Sequence, residues 1–290
     1  MVLKIERMEI DDVGANPKRL AESIIKQLPD GITAIPVREI AEAIGIYEIR
    51  EALLEGLEGA LVVPVDKSCG AITVRSDRSE PKKRFTIAHE IGHYVNPTHR
   101  ASSSGGFRCS LSDMMISKAN PNNRHQKMEL EANRFADELL MPEARVRAFL
   151  SLRAGVDLEH IIDLAKYFEV SKEASARKYL DQLDEPAAIV FSCEGRIRYI
   201  LAKEGFTRLS IGKGDMISEY CISTTSKEPQ GKVTDIAETP GQFWLERSAN
   251  FSLGEQTVRQ MNGFRMTLLT VEETGKDDAD WAPPSFGRSG

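Results

Sequence analysis

Two histidines four residues apart, His89 and His93, stand in the stretch FTIAHEIGHYV and constrain the chain more than anything else in it. The apolar spacing around them is helical, and on an α-helix residues i and i+4 lie about 40° apart around the axis, so both imidazoles project toward one point. A divalent metal requires that arrangement of two nitrogen ligands, and Zn²⁺ is the usual occupant. Glu90 follows His89 directly, completing an HExxH sequence. Beside a metal rather than on it, a carboxylate there can take a proton from an attacking water and hand it to a leaving amine.

A catalytic zinc takes three protein ligands, so a third donor has to come from another segment. The stretch MELEANRFADELLM is helical and offers two carboxylates, Glu129 and Glu131. At about 100° per residue, Ala132, Asn133, Ala136, Leu139 and Leu140 share a side with Glu129. Glu131 falls nearly opposite, with Arg134 and Glu138. Glu129 is therefore expected in the buried stripe, where a carboxylate is costly unless a metal or partner neutralises it. Glu131 is expected on the solvent face, paired with Arg134. Asn133, one turn beyond Glu129, is placed to hydrogen-bond a ligand histidine from behind. Tyr94, His99 and His125 are further candidates for polarising a scissile carbonyl, although each reads first as a solvated surface residue.

Composition narrows the classes. With 41% hydrophobic and 28% charged residues the chain has the material for a packed core, which excludes wholesale disorder. Its net charge of −6 weighs against life on nucleic-acid phosphates. Cys69, Cys109, Cys193 and Cys221 are far apart and form no CxxC pair, so they read as reduced thiols and not as a disulfide framework or cysteine-built zinc site. No GxSxG occurs to support a serine nucleophile. The N-terminus alternates charge with apolar residues, unlike a secretory signal, and the run from Gly59 to Val65 is far short of the roughly 20 residues a membrane helix needs. A cytoplasmic protein without membrane contact is the expectation.

Along the chain, helices are expected from Asn16 to Leu28 and from Pro36 to Gly45, then a hairpin of ALVVPV and AITVR. The basic cluster Lys82-Lys83-Arg84 precedes the HExxH helix. Residues 98 to 126 are polar and read as one long loop. From Pro142 to Leu183 the pattern is all helix, and LEHIIDLAKYFEVSKEASARKYLDQL has the outline of a helix-turn-helix with Ser171 capping its second helix. After Pro186 the texture turns to β: AAIVFSCEGRIRYILA reads as two strands around Cys193-Glu194-Gly195, alternating like a sheet with one covered face, and FRMTLLTVEE as a final strand. The tail from Gly275 reads as loose. The expected divisions are residues 1–141, 142–185 and 186–290.

RFTIAHEIGHYV followed by ELEANRFADELLMP resembles the ImmA/IrrE-type metallopeptidase family, nearly end to end in both blocks. The resemblance covers roughly residues 35 to 183 and implies an α+β, zincin-like domain with zinc on His89, His93 and Glu129 and Glu90 as general base. It also implies a helix-turn-helix-like extension, a mixed α/β C-terminal domain that serves as a GAF-type sensor, in substrate recognition or as a structural lid, and a protein substrate that is itself a helix-turn-helix repressor, cut to release stress or mobile-element genes. The rival reading is a DNA-binding transcriptional regulator whose metal site is sensory or vestigial. Direct DNA binding is not favoured, because the second helix sets Lys172, Arg177 and Lys178 against Glu173 and Asp181. Nothing in the sequence sets an oligomeric state.

Overall fold

The computed structural model describes residues 3–101, 105–246 and 251–273. It is mixed α+β and divides into two compact units, Met1–Ala154 with His160–Lys178, and Gly155–Glu159 with Tyr179–Gly290. The tail from Gly275 lies outside the described residues.

The first unit opens with α1 (Arg7–Asp11), α2 (Pro17–Ile25) and α3 (Val37–Ala43). The Asn16 side chain accepts from the Arg19 amide at 3.1 Å and Pro17 occupies the first helical position, so α2 starts where local chemistry favours it. Next come β1 (Ile46–Ala52), β2 (Gly59–Val62), β3 (Gly70–Arg75), α4 (Glu80–Val95), β4 (Gly106–Cys109), α5 (Leu111–Met114), α6 (Arg124–Leu140) and α7 (Glu143–Leu150). α8 (Leu158–Tyr167) and α9 (Lys172–Gln182) follow. The sheet runs β1-β3-β2-β4, with β1 parallel to β3 and the other pairs antiparallel.

Every residue of α4 from Thr86 to Val95 is buried, because β2, β3, α3 and α6 all pack on it. A helix surrounded in this way can hold polar groups out of water, and the unit uses that. α4 begins at Glu80, so Lys82-Lys83-Arg84 lies inside it and not ahead of it. Lys83 is buried between Glu51 at 2.6 Å and Glu80 at 3.0 Å. Arg84 donates to the backbone oxygens of Ile35 at 2.9 Å and Glu169 at 3.1 Å, which ties α4 to the turn between α8 and α9. Ser171 caps α9 through a bond from the Ala174 amide at 3.1 Å.

The polar stretch 98–126 is not one long loop. It contains β4, whose Phe107 and Cys109 point inward, and α5, which begins with a capping box between Ser110 and Asp113. β1, too, has no counterpart in the sequence reading: its burial does not alternate.

The second unit is built on β5 (Ala187–Cys193), β6 (Arg196–Ala202), the short helix α10 (Ile222–Thr225), β7 (Ala237–Pro240), β8 (Phe251–Arg259) and β9 (Phe264–Glu273). All pairs in its β6-β5-β9-β8-β7 sheet are antiparallel. Glu194 and Gly195 both take positive φ, 50° and 72°, the two-residue turn whose twist suits the β5–β6 hairpin. β5 departs from the expected single covered face. It runs between β6 and β9, and Ala187 to Ser192 are buried on both of its faces. One core of this unit gathers Val190, Ile197, Trp244, Leu253 and Leu269.

Candidate metal centre

α4 and α6 supply the centre, and a glycine sets their approach. A Cβ at Gly92, between the two histidines, would meet Phe135 Cδ1 at 3.0 Å and the Ala132 backbone at 3.3 Å. Without it α6 closes in, and Glu129 reaches the imidazoles.

The ligand atoms converge. His89 Nε2 lies 3.0 Å from His93 Nε2 and 3.1 Å from Glu129 Oε2, and His93 Nε2 lies 3.4 Å from the same oxygen. All three residues are at most 1% exposed. A tetrahedral zinc with Zn–N of about 2.0–2.1 Å holds its ligand atoms about 3.3–3.4 Å apart, so these three donors fit one ion. The chemistry fits as well, with two imidazoles and one carboxylate around a borderline cation.

Each histidine is fixed from behind. His89 Nδ1 lies 2.9 Å from Asn133 Oδ1, and the Asn133 amide is oriented by donating to the backbone oxygens of Asp113 at 3.0 Å and Ile116 at 3.1 Å. His89 Nδ1 must therefore carry the proton, which leaves the Nε2 lone pair for the centre. His93 Nδ1 lies 2.9 Å from His99 Nδ1, and His99 Nε2 lies 3.0 Å from Glu131 Oε2. A proton on His93 Nδ1 and another on His99 Nε2 satisfy this file, again leaving Nε2 of His93 unprotonated.

For His93 and His99 the electrostatics agree with that assignment. Burial pulls His93 down to about 4 and His99 down to about 2, so both are neutral. Burial opposes charge on His89 too, but Glu129 and Glu90 outweigh it and raise its pKa. Burial pushes Glu129 up, yet the hydrogen bonds of His89 and His93 hold it well below the carboxylate range. Glu90 has weaker support. It is wholly buried, neither carboxyl oxygen has a nitrogen or oxygen partner, and burial, only partly offset by the His89 charge and the Cys109 thiol, raises it to about 7.

Several sequence expectations need correction. Glu131 is not on the solvent face with Arg134; it is partly buried and takes the His99 bond. Glu138 is buried, held by Lys178 at 3.5 Å, because α6 is covered around most of its circumference. Tyr94 and His99 are not surface residues. Tyr94 packs away from the centre, with the Arg7 guanidinium 4.5 Å over its ring and Gly45 against its hydroxyl. His99 stands behind His93. His125 alone stays exposed, with Nδ1 3.6 Å from Glu129 Oε1.

Cys109, which reads from the sequence as a reduced thiol apart from any zinc site, lies at the centre. Its Sγ lies 3.7 Å from His93 Nε2, and ligand atoms of His89, His93, Cys109 and Glu129 all fall within 4.8 Å of one another. The one available signal was the Phe107-Arg108-Cys109 alternation within a polar stretch.

Residues 64–179 match the sequence profile of the IrrE N-terminal-like domain, a peptidase family. That segment is similar to the ImmA/IrrE-type family, which the two motif blocks resemble. The HExxH helix, β4 and α6 all lie inside the matched ImmA/IrrE-type segment. No curated protein matches the chain in sequence. Among solved structures, a Mycobacterium tuberculosis transcriptional regulator aligns with a TM-score of 0.52 at 13% identity, over 92% of this chain and 78% of that one. At that identity the likeness concerns the fold. Among the described residues no helix is long and apolar enough to cross a membrane.

Proposed function

We propose that the chain is a zinc-dependent endopeptidase of HExxH type that cleaves a DNA-binding repressor of helix-turn-helix type and so switches on stress or mobile-element genes in the cytoplasm. One observation carries the peptidase reading: the convergent His89, His93 and Glu129 donors adjoin a fully buried Glu90 carboxyl with no nitrogen or oxygen partner. The choice of a repressor rests on the family alone.

His89, His93 and Glu129 would hold the zinc. When bound, it supplies Lewis acidity, polarising the scissile carbonyl and acidifying the attacking water. Glu90, titrating at about 7, accepts a proton at a carboxyl oxygen and returns it to the leaving amine. Asn133 and the His99–Glu131 pair hold the imidazoles in the tautomer that points Nε2 inward. His125, exposed beside Glu129, is the side chain we assign to the carbonyl oxygen as it gains charge. For the second unit we retain signal reception or substrate recognition by a domain of GAF type. It has a core of its own and no histidine to offer a metal.

The test is incubation of the purified protein with a candidate repressor, with and without chelator. Cleavage that chelator abolishes is expected; cleavage that persists removes the reading. In parallel, Glu129→Ala should lose metal by elemental analysis while Glu131→Ala keeps it.

A second reading, a DNA-binding regulator with a sensory or vestigial metal site, draws support from the α8–α9 pair and from the structural relative's being a transcriptional regulator. Against it, Arg177 is paired with Glu173 at 2.8 Å and Lys178 with Glu138 at 3.5 Å, which reduces the cationic surface a phosphate backbone would meet. It predicts DNA affinity that falls steeply with salt and a regulatory output that survives Glu90→Gln.

A further inference from the structure

β4 gives both of its inward side chains to the metal centre. The Phe107 ring stacks on the His93 imidazole, with centroids 4.5 Å apart and planes inclined by 21°. Two residues on, on the same face, Cys109 is fully buried with its sulfur 3.7 Å from His93 Nε2. Zinc bonded to nitrogen at about 2.0–2.1 Å and to sulfur at about 2.3 Å sets those atoms about 3.6 Å apart. The observed separation is the edge of such a tetrahedron.

The surroundings point the same way. Cys109 pairs with Gly59 of β2, and a Cβ at Gly59 would fall 2.7 Å from Glu90 Oε1. Gly59, Glu90 and Cys109 thus meet at one spot, where the thiol is the one side chain beside the Glu90 carboxyl that can donate to it and neither oxygen has a nitrogen or oxygen partner. A catalytic zinc keeps one position open, whereas four protein donors make a closed site. Here a fourth donor lies within 4.8 Å of the other three.

We propose that Cys109 is the fourth ligand of the metal centre and that the site of this chain rests closed, with β4 as the segment that must move to open it. The inference builds on the peptidase reading above. Binding takes Cys109 as thiolate, its proton being released as the sulfur–metal bond forms. Opening breaks that bond and requires only a four-residue end strand to leave β2.

Cobalt(II) in place of zinc tests this on the full chain, since thiolate bound to cobalt gives a near-ultraviolet charge-transfer band that imidazole and carboxylate do not. The wild type loaded with one equivalent should show the band. Cys109→Ala should lose it while still binding one equivalent. Its zinc affinity, measured by chelator competition, should drop by at least the roughly 10–100-fold that losing an outer partner costs. Its repressor cleavage should rise. If Cys109→Ala misfolds by circular dichroism, Cys109→Ser carries the same spectroscopic test. A wild type that binds cobalt stoichiometrically without the band, or a band that persists in Cys109→Ala, overturns the closed site and leaves the peptidase reading intact. A wild type that binds neither cobalt nor zinc overturns both.

Discussion

Glu90 in the first unit and Glu255 in the second are both fully shut off from solvent, but their surroundings treat them in opposite ways. Glu255 accepts the Ser223 amide at 2.7 Å on one oxygen and the Thr239 hydroxyl at 2.7 Å on the other, so it caps the start of α10 and links it to β7 and β8. Glu90 has no nitrogen or oxygen partner for either oxygen, only the weak Cys109 thiol, and feels the charges of His89 and Glu129. Burial of a carboxylate therefore does not by itself mark a functional site. An unsatisfied carboxylate in a convergent donor set does, because nothing in its own unit repays the cost of keeping it from water.

The largest effect expected from this contrast is on catalysis. Glu90→Gln should reduce cleavage of the substrate by about 10²–10⁴-fold, the range lost with a general base, while metal content stays at one equivalent. Its melting temperature should change little, since only the weak bond from the Cys109 thiol is altered. Unchanged cleavage would remove Glu90 from the chemistry. A large fall in melting temperature would place it with Glu255 as a structural group.

Asn133 ranks next. Its side chain joins the His89 ring to the backbone of the α5 region. Asn133→Leu should weaken zinc binding by roughly 10–100-fold, as loss of a partner behind a ligand histidine does. Chelator competition measures it. An unaltered affinity would mean that packing alone orients His89.

How far the sequence discloses these features depends on how local they are. The His89–His93 spacing and the phase that separates Glu129 from Glu131 follow from helical geometry within a few residues, and in the structure Glu129 meets His89 while Glu131 meets His99. The same helical phase puts Glu138 in solvent only if α6 has one buried stripe, and α6 is enclosed on more sides than one. Cys109 and His99 join the centre only through tertiary placement. β4 is four residues long in a polar stretch, too short for its alternation to stand out. β8 escaped for a different reason: Glu255, Gln256 and Thr257 are consecutive, polar and buried, so no hydropathy pattern could show the strand. The β5–β6 hairpin and β9 were legible because their runs are apolar and the first is bounded by a turn whose residues adopt positive φ.

In the second unit the effects should appear in stability. Glu255→Leu removes both acceptors at similar volume and leaves the Ser223 amide and Thr239 hydroxyl buried without partners, which should cost about 1–3 kcal/mol. Denaturant unfolding would register this as a lower midpoint, with metal content unchanged. Loss of metal in this variant would break the division of labour between the two carboxylates.

The smallest effect distinguishes a replaceable polar network from one that chemistry requires. Thr257 and Thr267 face each other across β8 and β9, both buried, with hydroxyl oxygens 3.0 Å apart and Thr257 Oγ1 3.3 Å from the Met266 carbonyl. Thr257→Val keeps the shape but takes one hydroxyl from its partner, and should cost about 1 kcal/mol. Replacing both threonines by valine removes the mismatch, since two apolar groups of matching shape leave no donor between them unpaired, and stability should return to within a few tenths of a kcal/mol of the wild type. The double-mutant cycle in denaturant reads this coupling directly. Recovery in the double variant would mark the second unit's network as scaffold. Losses that simply add would mean that these hydroxyls serve something beyond each other, and the contrast with the histidine cluster would narrow.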